Sequence, residues 1–458
     1  MTLSQKPSAA AFKELQPRLA GHLILPQDES YHQARQLWNG KIDKYPAAIV
    51  RCANAQDAVE CVRWARAHGL PLSVRGGGHD VAGRALCDQG IVIDCSEMRA
   101  VSIDARSRIA QIQGGSTVSD LVHAAQQAGL ATATGNVESV GLTGLTLGGG
   151  YGPLVGRFGL VADNLLSAQV VTADGQIVTA SADEHADLWW GLRGGGGNFG
   201  VVVSSQYRLY PLGKVLFGWR MYPLAQAREV LNFYREFIAT APDELTVLAG
   251  LLRLPDGTPI LFLAPTYSGA LEEGERVLKP LRSFGQPLDD QIQPTPYEVL
   301  ITAINPLVPK GRRYFMHTQS VATLRPETIE VLVEMAETFT SPFSAITIHH
   351  FHGTASRVAV SETAFALRQD HLMLDIASEW VSSAPEEDQR HIQWTQEGLR
   401  VAPYALPGGY VNLLGEDEQE RVPLAFGPNY ERLLALKRTY DPDDVFCSTI
   451  GHIIPLQQ

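Results

Sequence analysis

The 458 residues carry 37 Lys and Arg against 49 Asp and Glu, a formal net charge of −12, and 45% of them are hydrophobic. That composition fits a soluble globular chain of two or three domains. The negative balance, with no basic block anywhere, argues against a general nucleic-acid binder.

No run of about 18 or more apolar residues is present, which argues against a membrane span. The N-terminal MTLSQKPSAAAFKELQPRL has no basic segment leading into an apolar stretch, which argues against a secretory signal. Five scattered cysteines (Cys52, Cys61, Cys87, Cys95, Cys447), with no C-x-x-C pair, suit neither a disulfide framework nor a zinc site. They read as small buried hydrophobes in a reducing cytoplasm.

In chain order, PAAIVRC, ANAQDAVECVRWARAHG and LPLSVR predict strand, helix and strand, with Asn54 as N-cap and Gly69 as the left-handed helix stop. IVIDCS and RIAQIQGG predict short strands, and SDLVHAAQQAGL a second helix ending at Gly129. SAQVVTADGQIVTAS predicts a hairpin whose Asp174-Gly175 suits a tight primed turn. VVVSSQYRLYP, from Val201, predicts another alternating strand. From about Phe217 to Val411 glycine thins out, and strands such as LTVLAGLLRL and PILFLAPTYSG alternate with the helical PETIEVLVEMAETF. NYERLLALKRTYDPDDVF predicts a last helix stopped by Asp441-Pro442.

Glycine concentrates in RGGGHD (75–80), GLTGLTLGGGYG (141–152) and RGGGGNFG (193–200). Glycine lets backbone N–H groups approach a ligand closely, so three such clusters beside strands point to an extended dinucleotide held by backbone. Gly195, Gly197 and Gly200 satisfy G-x-G-x-x-G, yet a strand rather than a helix follows them, so this is not a Rossmann site. There is no P-loop, no H-E-x-x-H and no G-x-S-x-G.

Taken together, SVRGGGHD, GLTLGGGYGPLVGRFGLVADNLLSAQVVTADG, DLWWGLRGGGGNFGVV, YVN and NYERLLALKRTYDPDDVF resemble the FAD-linked oxidases of the vanillyl-alcohol-oxidase superfamily. The nearest likeness is to the berberine-bridge-enzyme-like group, which includes bacterial hydroxynicotine and sugar oxidases. The resemblance implies an α+β chain with a PCMH-type FAD-binding domain of two α+β subdomains over residues 1–212. A substrate domain with a large antiparallel sheet covered by helices would span 213–413, and 414–458 would return to the FAD domain.

The resemblance also implies FAD bound covalently through His79. Arg75, Gly76, Gly77, Gly78, Asp80 and Gly83 would surround it. The second cluster would add Gly141, Leu142, Thr143, Gly144, Gly148, Gly149, Gly150, Tyr151, Gly152, Gly159, Asp163 and Asn164. Gly200, Val201, Val202, Tyr410 and Asn412 would complete the cofactor site. Some relatives carry a second, cysteinyl link; here that position is Val137, and no cysteine lies between Cys95 and Cys447, so one link is expected.

The implied reaction is hydride transfer from a small alcohol, sugar or amine to flavin, reoxidised by dioxygen, in secondary metabolism or catabolism. A dehydrogenase in which Leu142 to Leu145 block dioxygen, and a non-catalytic flavin-binding paralogue, are the alternatives. In several members of the group it resembles, a tyrosine immediately after Y-x-N serves as base, and Leu413 occupies that place here. The replacements expected are Tyr410, or His350 and His352, which alternation in ITIHHFHG puts on one face with His349 opposite. Tyr314 is a weaker candidate. No metal site, nucleic acid or membrane partner is expected, and the oligomeric state is not legible.

Overall fold

The computed structural model describes residues 12–454, so the first residues of the N-terminal stretch read above lie outside it. Ala48–Arg51, Ile91–Asp94 and Leu72–Arg75 form a parallel sheet, with His22–Ile24 antiparallel on its edge. The connection is the helix Ala55–His68. Asn54 Oδ1 accepts from the N–H groups of Gln56 and Asp57, and Gly69 ends the helix at φ 61°. Its Ala58, Val59, Val62 and Ala65 pack on the sheet's Val50, Leu72 and Ile93.

A second, antiparallel sheet runs in the order Val101–Asp104, Ile109–Gln113, Val201–Arg208, Leu165–Val171, Ile177–Ser181. The strand Val201–Arg208 follows Gly200 directly, which disposes of the Rossmann pattern. The hairpin at Asp174-Gly175 is real, but its turn is not a two-residue primed one. Gly175 N–H donates to Thr172 O (2.9 Å) and Thr172 N–H donates to Gln176 O (2.9 Å), so Ala173, Asp174 and Gly175 form a three-residue loop. Only Gly175 has positive φ (74°), as in a type I turn with a glycine bulge; a type I′ turn would need Asp174 there as well.

Sheet membership changes between Tyr210–Pro211, which pairs with Leu130–Ala131, and Val215–Phe217, which joins a large antiparallel sheet. The main run of that sheet is Asp289–Asp290, Arg220–Pro223, Pro259–Tyr267, Leu245–Arg253, Ala345–Phe351, His371–Trp380 and Arg313–Val321. Helices Ala227–Ile238, Leu271–Ser283, Pro326–Glu337 and Pro385–Gln396 supply its apolar cover: Leu231, Leu278, Leu332 and Trp394 join Val247, Ala249, Ile346, Ile348, Leu374 and Ile376 in one core. Because strand side chains alternate, the neighbours Thr347, His349, Met373, Asp375, Ala377 and Glu379 face the other way, into a cavity.

The C-terminal helix Tyr430–Tyr440 packs its Leu433, Leu434 and Leu436 into the core of the second sheet. The segment after it crosses back under the glycine loops. Ser448 bridges to Ser73, and Asn198 Nδ2 donates to Gly195 O and Gly451 O (2.8 Å each). Lys437, fully buried, donates to Asp441 (2.6 Å) and reaches Asp444 (2.9 Å).

Candidate active site

A cavity of about 790 Å³ lies between the glycine loops and the open face of the large sheet. On the loop side, Gly76, Gly77, Gly78, His79 and Asp80 line it, followed by Gly141, Thr143 and Gly144, then Gly200 and Val202. The three glycines allow two loops to touch. A Cβ on Gly77 would sit 2.3 Å from Gly141 N, and Gly78 adopts φ 70°. The backbone N–H groups of Gly77, Gly78, His79 and Asp80 find no acceptor among the described residues. Thr143 Oγ1 and Asn412 Oδ1, also in the wall, are buried without a partner. A row of free amides beside orphaned polar atoms suits a pyrophosphate and a polar ring system, so the residues present fit a flavin dinucleotide.

His79 is held on two sides. Its ring stacks on Trp38 (centroids 5.1 Å apart), which stacks on Tyr314 (3.7 Å), and its Nε2 shares a hydrogen bond with Ser139 Oγ (2.9 Å). Nδ1 has no partner among the described residues. Burial, helped by Lys310, pushes the imidazole down to about 4, so it is neutral and its free nitrogen is nucleophilic. Val137 lines the cavity nearby, with no sulfur in its place.

Tyr410, Asn412, Tyr151 and Leu413 also line the cavity. The Tyr410 hydroxyl accepts from Gly150 N–H (3.1 Å) and Asn412 Nδ2 (2.8 Å), so its own proton is left to donate. Burial pushes this phenol up to about 12 despite those bonds, which makes Tyr410 a donor and a poor base.

Other expected residues stand behind the wall. Arg75 donates to Ala34 O (2.5 Å) and Gln36 O (3.2 Å), fixing the segment that carries Trp38. Gly83 packs on Ile42, Gly148 on the Asn412 side chain, and Gly149 on Phe365. Leu142 and Val201 belong to the apolar core. Gly159 gives space to Asp163, whose carboxylate is gripped by Arg368 (2.6 and 2.9 Å); Asn164 ties down Phe158 O and Leu160 O. Gly152 borders a side pocket of about 40 Å³.

His350 and His352 do share a face, with rings stacked 3.8 Å apart, but it is turned from the main cavity. His350 borders only the side pocket, and His352 Nε2 meets Thr246 Oγ1 (3.3 Å). His349 is the one in the main wall. Burial pushes His349 and His352 down to about 4 and holds His350 well below the ordinary imidazole range, so all three are neutral.

Two carboxyl groups in the wall were not singled out from the sequence. Asp375 is buried, its Oδ1 has no hydrogen-bond partner, and burial alone pushes it up to about 7. Burial raises Glu379 to about 7 as well, although it accepts from Arg312 (2.6 Å) and Tyr314 (3.1 Å). The signal was available: in HLMLDIASEW, Asp375 and Glu379 are acids on the same period-2 face of an otherwise apolar strand.

Comparison with known proteins gives the family. Residues 46–181 match the FAD binding domain model and 409–451 the berberine and berberine-like model. The chain is 31% identical over 444 residues to an uncharacterised FAD-linked oxidoreductase, YgaK, of Bacillus subtilis, covering 94% of this chain and 96% of that one. The crystal structure of 6-hydroxy-D-nicotine oxidase from Arthrobacter nicotinovorans superposes with a TM-score of 0.87 at 30% identity, covering 96% and 98% of the two chains. Glucooligosaccharide oxidase from Acremonium strictum, whose FAD is 6-S-cysteinyl and 8α-N1-histidyl, shares the fold at 22% identity, with a TM-score of 0.82 over 97% of this chain and 100% of that one. The free amides, the orphaned polar groups and these matches agree: this chain is an FAD-linked oxidoreductase of the berberine-bridge-enzyme-like family.

Proposed function

We propose that this enzyme is an oxidase whose FAD is joined covalently to His79 alone. It would oxidise a small organic substrate in the cavity, with dioxygen as the final acceptor, giving hydrogen peroxide. The observation that carries this reading is the pairing across one cavity of a neutral, partly open His79 with an unpartnered Asp375. Bound FAD supplies the hydride acceptor. Asp375 takes the proton from the substrate's N–H or O–H group while the neighbouring C–H bond breaks; a carboxyl near 7 is matched to that task at neutral pH. This explains how Leu413 is tolerated after Y-x-N, because the base stands on the facing strand. Tyr410 donates its hydroxyl proton as a hydrogen bond into the cavity, and Asn412 and Gly150 hold it there. Val137 leaves His79 as the single anchor.

The domain division at 212 and 413, and a cytoplasmic location suited to five unpaired cysteines, belong to the same proposal. The test is a denaturing gel of acid-precipitated protein viewed under ultraviolet light. Fluorescence at the protein band is expected, and its loss in His79→Ala. A non-fluorescent wild-type band refutes the covalent link. Failure of the reduced flavin to reoxidise in oxygenated buffer, with no peroxide formed, refutes the oxidase.

A further inference from the structure

The face of the cavity opposite the glycine loops specifies a chemistry for the substrate. Its side chains are mostly apolar: Trp219, Leu248, Leu252, Phe262, Met316 and Met373. The mouth is apolar as well, with Leu307 (37% exposed) and Phe343 (38% exposed) at its rim.

The polar groups on this face are occupied by one another. Arg312 and Tyr314 hold Glu379, and Thr347 Oγ1 meets His349 Nε2 (3.1 Å). A sugar placed here would set several hydroxyls against carbon, at a cost of roughly 1–3 kcal/mol for each one left unpaired.

Asp375 is the exception, with Oδ1 buried and without a donor. It also lacks a counter-charge. The arginines lining the cavity are Arg84, Arg253 and Arg312. Arg84 is bound to Asp80 and Leu414 O, Arg253 to Gly257 O, and Arg312 to Glu379. A buried carboxylate in an apolar wall calls for a ligand that brings its own positive charge. A neutral alcohol would satisfy the hydrogen bond and leave the charge uncompensated.

We infer that the substrate is an amine on an apolar, ring-bearing skeleton, bound with its ammonium N–H on Asp375. This rests on the proposed flavin oxidase reading. The ammonium proton passes to the Asp375 carboxylate, freeing the nitrogen lone pair. The adjacent carbon then loses its C–H bond as hydride to the bound FAD, and the lone pair closes a C=N bond. FAD held by the glycine loops would take up the two electrons, with dioxygen as their final acceptor.

The test uses flavin-loaded enzyme under anaerobic conditions, mixed with N-methylbenzylamine, benzyl alcohol, glucose or cellobiose. The amine is expected to bleach the flavin at least 100-fold faster than the others. A second measurement does not require turnover. α,α-Dimethylbenzylamine, which has no hydrogen on the carbon beside nitrogen, is titrated while the flavin spectrum is followed. Binding is expected, and Asp375→Asn is expected to weaken it at least tenfold at unchanged flavin content. Faster bleaching by alcohol or sugar, equal amine binding in Asp375→Asn, or no response to any probe overturns the assignment and leaves the flavin reading standing. A protein that takes up no FAD overturns both.

Discussion

Asp375 makes a prediction that needs no substrate. Burial moves its carboxyl from 3.8 to about 7, with no charged neighbour contributing. A group whose folded pKa is raised stabilises the fold below the unfolded value, and that contribution is lost as pH rises through the folded one. At about 1.4 kcal/mol per tenfold, the full loss above pH 7 is about 4 kcal/mol, of which roughly 3 kcal/mol develops between pH 5 and 8.5. Asp375→Asn removes the titration while keeping the shape. Its stability relative to wild type should therefore rise with pH: small near pH 5, larger by roughly 3 kcal/mol at pH 8.5. For a chain of this length melting as one unit, that is roughly 3 °C. Thermal melts of the protein and the variant, matched in flavin content, at four pH values and identical ionic strength would measure it. A melting difference that stays constant with pH refutes the buried, uncompensated carboxyl, and with it the basis for Asp375 as proton acceptor.

Three further perturbations probe the site's construction. Gly77→Ala places a Cβ between Gly141 N (2.3 Å) and Ser139 O (3.0 Å), backbone on both sides; overpacking of roughly 1–3 kcal/mol is expected. Its melting temperature and its flavin-to-protein absorbance ratio should both fall. Arg368→Ala strips the partly buried Asp163 carboxylate of two hydrogen bonds, at a cost of up to roughly 3–5 kcal/mol. Adding Asp163→Asn should recover part of that loss in denaturant melts, and no recovery would show that the pair is not the cause. Tyr410→Phe removes one hydrogen-bond donor, worth roughly 1–3 kcal/mol, and so should slow flavin reduction by about 10- to 100-fold. Because Tyr410 is held near 12, its pH profile between 5 and 9 should keep the wild-type shape; a limb that disappears in the variant would make Tyr410 the base after all.

Much of this arrangement was legible from local pattern. The caps at Asn54 and Gly69 and the strand after Gly200 follow from short-range backbone chemistry, and the structure shows them. RGGGHD marked the loop that brings His79 to the cavity, because only glycine at position 77 lets that loop press on Gly141. The turn at Asp174-Gly175 was misread for a local reason too: the same dipeptide serves a primed turn and a bulged three-residue loop, and the strands on either side select between them.

The sheet side of the cavity was less legible. In ITIHHFHG, alternation correctly grouped His350 with His352, yet which face of the strand meets the cavity depends on where the covering helices lie. Those helices come from other parts of the chain, and they take Ile346 and Ile348, leaving Thr347 and His349 to the cavity. Asp375 and Glu379 show the same limit. As letters in an apolar strand they are two acids two turns of the pleat apart; only the packed sheet raises their pKa values and gives Glu379 the Arg312 partner that Asp375 lacks. The sequence by itself determined the glycine loops that suit a flavin and the place of His79 at the end of one of them, because these depend on backbone freedom and neighbouring residues. The tertiary structure decided which carboxyl in the cavity is left buried and unpartnered, because burial and charge compensation arise only where distant segments meet.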